Sequence, residues 1–244
     1  MKVYAVLLAA GTGSRTGIPI PKQLIKIKDR EIILHSLEIF LKSSINFEAV
    51  IITTPPPNVF EFDWNDFFKK NIGKDQIEKL LIIKGGATRQ QSVENSIRYI
   101  ENITHETEIE NTVVFIHDSA RPFVTDYELH LLLDETAKHG AAFLCSSVTE
   151  TVKEINPDYK NKFKTLIREN LISAKTPQVF KFKLIKKALD KAVEKNFTST
   201  DDVSLLENLG LTAVPIRAAD INIKITSGLD IEIAELFMEK FKKL

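Results

Sequence analysis

Cysteine is nearly absent from this chain. The one thiol among 244 residues, Cys145, cannot form an internal disulfide, and it sits in an apolar run. A reducing compartment and a small buried hydrophobe follow. Net charge is also missing, because Lys+Arg and Asp+Glu both total 33. A nucleic-acid partner would usually leave a basic excess or stripe, so any phosphate recognition here must be local. No apolar run approaches the roughly 18–20 residues of a membrane span. The first residues enter a strand pattern at once, leaving no room for a leader. The expectation is a cytoplasmic protein with neither a membrane nor a nucleic-acid partner.

Glycine is scarce and unevenly placed. Of nine glycines, five fall in two short patches: Gly11, Gly13 and Gly17, then Gly85 and Gly86. The first patch lies in Leu7 to Gln23, reading L-L-A-A-G-T-G-S-R-T-G-I-P-I-P-K-Q, directly after the apolar run Val3 to Leu8. Small residues after a buried strand let backbone N–H groups approach an anion. Arg15 and Lys22 add fixed positive charge, and Pro19 and Pro21 restrict the backbone leading to Lys22. The pattern is a phosphate loop, but not a Walker loop, which needs G-x-x-x-x-G-K-[ST]. The spacing G-x-G-x-x-x-G also misses the dinucleotide fingerprint. The next strand, Ala49 to Thr53, runs into Pro55-Pro56-Pro57 without the carboxylate that would hold a ribose.

Strand and helix periodicities then alternate, giving an α/β chain with a mostly parallel sheet. A helix is expected over Glu31–Ser43, and another packs Phe60, Trp64, Phe67 and Phe68 inward. Strands are expected at Leu80–Ile83, Thr112–Ile116 and Ala141–Val148, with a helix over Leu129–His139 stopped by Gly140. Thr149 to Ala174 is polar, with β-like pieces at Thr151–Ile155 and Phe163–Ile167, and reads as an arm resting on a second copy of the chain. Helices follow Lys175–Phe180 and Thr200-Asp201-Asp202, the latter read as an N-cap. Short strands are expected at Ala213–Ile216 and Asn222–Ile225, before a last helix capped by Ser227 and Asp230. With no repeat and no linker, the chain reads as one domain with a projecting arm.

Three strands end in glycine or charge: Leu8 at the first loop, Ile83 before Gly85, and Ile116 before His117-Asp118-Ser119-Ala120-Arg121. Ligands of open α/β sheets collect at such ends. The Gly85-Gly86 pair precedes a helix and is expected to leave N–H groups free at its positive terminus. Arg89 and Ser92 share one side of its first turn and can bond a base, a ribose or a phosphate. Asp118 can bind Mg²⁺ or a sugar hydroxyl, and Arg121 a phosphate.

In order along the chain, L-A-A-G-T-G-S-R, P-K-Q, G-G-A-T-R-Q-Q-S-V, H-D-S-A-R-P, E-T-V-K, T-P-Q-V-F, T-D-D and N-I-K-I-T stand together. With them the chain resembles the 2-C-methyl-D-erythritol 4-phosphate cytidylyltransferase family. The resemblance implies a Rossmann-like nucleotidyltransferase three-layer sandwich. It implies transfer of CMP from CTP to the sugar phosphate, with Mg²⁺, in homodimers joined by an exchanged arm, in isoprenoid precursor synthesis.

By the same resemblance, Arg15, Lys22, Arg168 and Lys224 carry the chemistry. Leu8, Ala9, Ala10, Gly11, Gly13, Gly86, Ala87, Arg89 and Ser92 bind the nucleotide. Asp118, Arg121, Thr151 and Thr176 hold the acceptor, with Asp118 also facing the metal. Ala87 stands where many members have an acidic or polar residue, so only its backbone is assigned a contact. Glu150 replaces a frequent Asp beside Thr151. Two other readings remain: the ribitol 5-phosphate cytidylyltransferases, which share nearly all these motifs, and a nucleotide-binding relative without turnover.

Overall fold

The computed structural model describes residues 1–11, 20–156 and 158–241, without the side chains of 159–161, 240 and 241. Strand β1 (Lys2–Leu8) enters the first loop. A 3-10 turn (Lys22–Leu24) and a small hairpin, β2 (Lys26–Ile27) and β3 (Arg30–Glu31), then lead to α1 (Ile32–Lys42). Next come β4 (Ala49–Thr54), α2 (Trp64–Asn71), α3 (Lys74–Ile77), β5 (Leu80–Lys84), α4 (Arg89–Ile103) and α5 (Glu106–Ile109). β6 (Thr112–Asp118), α6 (Asp126–His139), β7 (Ala141–Ser147), β8 (Lys153–Asn156), β9 (Tyr159–Thr165) and β10 (Ile172–Lys181) follow. The chain continues through α7 (Phe182–Glu194), α8 (Val203–Glu207), β11 (Val214–Arg217) and α9 (Gly228–Phe241).

Seven strands form one sheet in the order β11-β7-β10-β6-β1-β4-β5. Neighbours are parallel except at β10, which runs antiparallel to both β6 and β7. β10 loses its regular register between Ala174 and Gln178, which frees Lys175 to Pro177 from the ladder. Period-2 alternation sends β1 side chains to two faces. Ala5 and Leu7 pack with Phe40, Ile52, Phe68 and Phe115 on one side; Tyr4 and Val6 pack with Val93, Ile97, Phe180 and Ile185 on the other. Helices thus cover both faces of a buried, mostly parallel sheet, as its apolar strands require.

A third cluster lies off the sheet. Ile25, Ile27 and Ile32 meet Phe123, Ile225 and Ala234, so the turn after Lys22, the segment after Asp118 and the segment bearing Lys224 share one small core.

Several local expectations change. Asn222–Ile225 forms no strand, following a turn in which the Asn222 N–H donates to the Ala219 carbonyl; the alternating isoleucines, Ile221, Ile223 and Ile225, pack into the third cluster instead. α2 starts at Trp64, because Asp63 caps it by accepting from the Asp66 N–H at 2.9 Å. Phe60 therefore precedes the helix. α6 begins at Asp126, ahead of Leu129, through a reciprocal cap between Thr125 and Glu128. It ends, as expected, at Gly140, whose φ of 92° suits glycine. Strands β8 and β9 pair only with each other, outside the main sheet. Ile155, Phe163, Ile167 and Ile172 in this region are each more than half exposed.

Candidate active site

The carboxyl ends of β1, β5 and β6 open onto one cleft. Leu8, Ala10, Gly11, Lys22, Gly86, Ala87, Thr88, Arg89, Ser92, Asp118, Ala120 and Lys224 line it. Lys22 comes from the 3-10 turn after Pro21. Next to it Gln23 is fully buried and donates from Nε2 to the Ala9 carbonyl at 2.5 Å, pinning that turn to the end of β1. Its role went unread in the sequence, where it is only the last letter of P-K-Q. Gly13, Arg15 and Gly17 lie outside the described residues.

The glycine pair serves a different purpose from the one expected. Its N–H groups are committed: Gly85 donates to the Thr54 carbonyl at 2.9 Å and Gly86 to Ser92 Oγ at 3.0 Å. Ala87 and Thr88 both donate to Gln91 Oε1, completing the cap of α4. The need for glycine is steric. A Cβ on Gly85 would stand 2.3 Å from the Ala10 Cβ, and one on Gly86 2.3 Å from the Gln91 Cβ. The two loops touch there, which brings the first patch against the second. Ser92 is 2% exposed, and its hydroxyl also donates to the Thr88 carbonyl, so it shapes the loop from beneath.

Asp118 is the electrostatic centre. Its Oδ2 receives Lys224 Nζ at 2.7 Å, its Oδ1 receives Arg89 Nε at 3.3 Å, and Arg121 Nε stands 3.7 Å from Oδ2. These cations hold its carboxyl well below the usual carboxylate range despite burial. Arg89 is pushed the other way, further towards its charged form, by Asp202 and Asp118. Burial lowers Arg121, which donates from Nη1 to the Asn222 carbonyl at 3.3 Å. Lys175 Nζ reaches the same carbonyl at 2.8 Å.

Beneath Asp118 runs a polar chain. The Asp118 N–H donates to Thr176 Oγ1, whose hydroxyl donates to His117 Nδ1, each at 3.0 Å. His117 Nε2 then donates to the Arg121 carbonyl at 3.0 Å. Burial lowers the imidazole to about 4, so it stays neutral with both nitrogens occupied. Thr176, expected to touch the acceptor, is 4% exposed and supports Asp118 from below.

Other expected residues are off the cleft lining: Ala9, which is 2% exposed, and Arg121 stand behind it. Thr151 and Arg168 do not line the cleft. Thr151 is exposed just before β8, and Arg168 donates from Nη1 to the Thr149 carbonyl at the base of the arm. The T-D-D motif also divides differently. Asp201 Oδ1 caps α8 by accepting from Ser204 N–H, while Asp202 turns to Arg89 with bonds of 2.9 and 2.8 Å.

The donor set does not suit a resident metal ion. Both Asp118 oxygens hold cations, Asp202 holds Arg89, and no cluster of three His, Cys, Asp or Glu forms among the described residues. Among the described residues, no helix is long and apolar enough to cross a membrane.

A family model described as 2-C-methyl-D-erythritol 4-phosphate cytidylyltransferase matches residues 3–240. The enzyme of that name from Clostridioides difficile is 34% identical, with 98% of this chain and 95% of the relative covered. That from Prochlorococcus marinus is also 34% identical, with 98% and 100% covered. The crystal structure of the Francisella tularensis enzyme superposes with a TM-score of 0.78 at 29% identity, covering 97% of this chain and 99% of that one. With the family model spanning nearly its whole length, the chain belongs to the 2-C-methyl-D-erythritol 4-phosphate cytidylyltransferase family.

Proposed function

We propose that the protein transfers the cytidylyl group of CTP to 2-C-methyl-D-erythritol 4-phosphate, releasing pyrophosphate, in isoprenoid precursor synthesis. An oxygen of the acceptor's phosphate monoester attacks the α-phosphorus as the bond to the pyrophosphate oxygen breaks. The observation that carries this reading is that Lys22, Arg89 and Lys224 line one cleft, the last two bonded to Asp118. Two polyanions must meet there, and fixed cations offset their repulsion and the charge developing on the leaving group.

No general base is needed, because a phosphate monoester is largely ionised near neutral pH, its second pKa being about 6. The buried environment agrees: His117, the histidine beside Asp118, is neutral with both nitrogens bonded. Leu8, Ala10, Gly11, Gly86 and Ala87 form the slim wall for cytosine and ribose, with Ser92 fixing its shape and Ala9 buried behind it. Arg15 and Lys22 take the triphosphate, for which Mg²⁺, when bound, would serve as counter-ion. Asp118, Arg121 and Lys224 face the acceptor.

The chain acts, in this proposal, as one domain whose residues 149–174 form a dimerisation arm. Arg168 and Thr151 would complete the cleft of a second copy, which fits their absence from the lining of their own cleft and the exposed apolar side chains of this region. The test is pyrophosphate release by purified protein with CTP and Mg²⁺, given 2-C-methyl-D-erythritol 4-phosphate and ribitol 5-phosphate in parallel. Release with the first alone is expected. Release with the second alone would move the protein to polyol-phosphate activation. Silence with both, in folded protein that binds CTP, would leave a nucleotide binder.

A further inference from the structure

We propose that Asp202 is a positioning residue for this transfer: it holds the Arg89 guanidinium in the cleft and acts on the reaction only through it. The inference rests on the cytidylyl-transfer reading above.

Arg89 opens α4 and lines the cleft, whereas the Asp202 side chain is 1% exposed and lies behind it. The two meet fork to fork, Nη1 to Oδ1 at 2.9 Å and Nη2 to Oδ2 at 2.8 Å, which fixes both the position and the plane of the guanidinium. Asp118 is met by Nε alone, at a long 3.3 Å.

Asp202 is itself held. Gln178, 1% exposed on β10, accepts from the Asp202 and Val203 N–H groups at 2.8 and 3.0 Å and donates to Asp201 Oδ2 at 2.8 Å. Because Asp201 caps α8, the Asp202 carboxylate is not engaged as a helix cap and is available to Arg89.

The arrangement matters for Asp118. A guanidinium released from Asp202 would turn its two terminal nitrogens onto the nearest other carboxylate, which is Asp118, and compete there with Lys224. Asp202 thus keeps Asp118 shared among Arg89, Arg121 and Lys224 and keeps Arg89 aimed at incoming phosphate. Burial pushes the Asp202 carboxyl up, opposed by Arg89.

The experiment is a double-mutant cycle on the full-length protein: wild type, Arg89→Ala, Asp202→Ala and Arg89→Ala/Asp202→Ala. Each is measured for kcat, for KM of both substrates and for CTP affinity by calorimetry, below its melting temperature. Asp202→Ala alone is expected to lower kcat/KM at least tenfold. On the Arg89→Ala background it should change neither kcat/KM nor CTP affinity by more than about twofold, because the group it acts through is gone. A merely structural ion pair would lower the melting temperature and leave both parameters of the folded enzyme near wild type. Equal losses on both backgrounds, or wild-type kinetics in folded Asp202→Ala, overturn the proposal. If the alanine variant does not fold, Asp202→Asn, which keeps the shape and one acceptor, replaces it in the same cycle. Were the wild type inactive, the proposed reaction would fail, and the CTP affinities would still decide the role of Asp202.

Discussion

Lys224 Nζ sits 2.7 Å from Asp118 Oδ2, joining residues 106 apart in the chain. Lys224 arrives on a segment without a ladder, seated by Ile225, whose N–H donates to the Ala120 carbonyl at 2.9 Å and whose side chain is fully buried. The carboxylate it meets also neutralises Arg89 and Arg121. Asp118→Asn therefore leaves three neighbouring cations without their shared anion. Breaking a buried ion pair from one side costs about 3–5 kcal/mol. Lys224 is about a third exposed, so the lower end, roughly 3 kcal/mol, is expected as a fall in stability by urea unfolding. Added phosphate or CTP should return part of it, since an anion can replace the lost charge. An unchanged midpoint would mean that solvent already screens these charges.

The contact between the two glycine-bearing loops predicts a specific pair of variants. Gly85→Ala puts a Cβ 2.3 Å from that of Ala10 and 3.2 Å from the Thr54 carbonyl. Overpacking of this kind costs about 1–3 kcal/mol, and here it also parts the walls of the proposed nucleotide site. Weaker CTP binding and lower stability are expected together. Ala10→Gly in the same chain removes the nearest clash but not the carbonyl or the Ser92 Oγ at 3.0 Å. Recovery should thus be partial. Full additivity of the two substitutions would show that the loops do not press on each other.

Stability should fall with acid in a window set by His117. Its ring is lowered from 6.5 to about 4 by burial. The unfolded chain therefore binds the proton first as pH falls. The contribution is fully present above 6.5 and is lost as pH drops towards 4, amounting to about 3 kcal/mol. Asp118 acts lower: its depressed carboxyl withdraws support only as pH falls below the ordinary 3.8. His35, partly buried and also lowered, tilts the His117 window in the same sense. His117→Gln, which can still accept from Thr176 and donate to the Arg121 carbonyl, should flatten the slope between pH 6.5 and 4.5 to the shares left by His35 and by Asp202, whose raised carboxyl acts in the opposite sense. Urea midpoints across that range provide the check, and an unaltered slope would place the proton uptake elsewhere.

Much of this site is legible in the sequence because its parts are local. A buried strand followed by small residues, or by a charge, is visible in a few letters, and three such ends converge as parallel topology demands. Long-range partnerships are not visible in that way. Thr200-Asp201-Asp202 reads as a cap, and a cap is present, but the neighbouring carboxylate performs it while Asp202 crosses to Arg89. The isoleucines of 221–225 alternate as in a strand, yet alternation reports only that every second side chain is apolar. Whether a ladder forms depends on what lies alongside, and here a small third core does. The glycine pair is equally ambiguous: the letters say that no Cβ is tolerated, not whether a ligand or Ala10 is the reason. Residue 178 is one more case. A glutamine after Thr176-Pro177 carries no local sign that its amide ties β10 to the start of α8.

The arm can be tested without any structure of a dimer. Lys22→Ala should cut kcat by roughly 10²–10³, the scale of losing one preorganised charge donor, and Arg168→Ala should impair acceptor use if Arg168 completes a cleft. In the proposed homodimer these residues of one chain belong to different sites. Mixing the two variants under conditions that exchange subunits makes half the dimers mixed. In each mixed dimer one site carries both lesions and the other carries neither. About a quarter of all sites, and so about a quarter of wild-type activity, should return. If both residues served a site within their own chain, every site would keep one lesion and mixing would restore nothing. Sedimentation at the assay concentration must show dimers in both parents. A monomeric active enzyme would by itself remove the exchanged arm from the mechanism, and would leave Arg168 to act, if at all, from its place at the base of the hairpin.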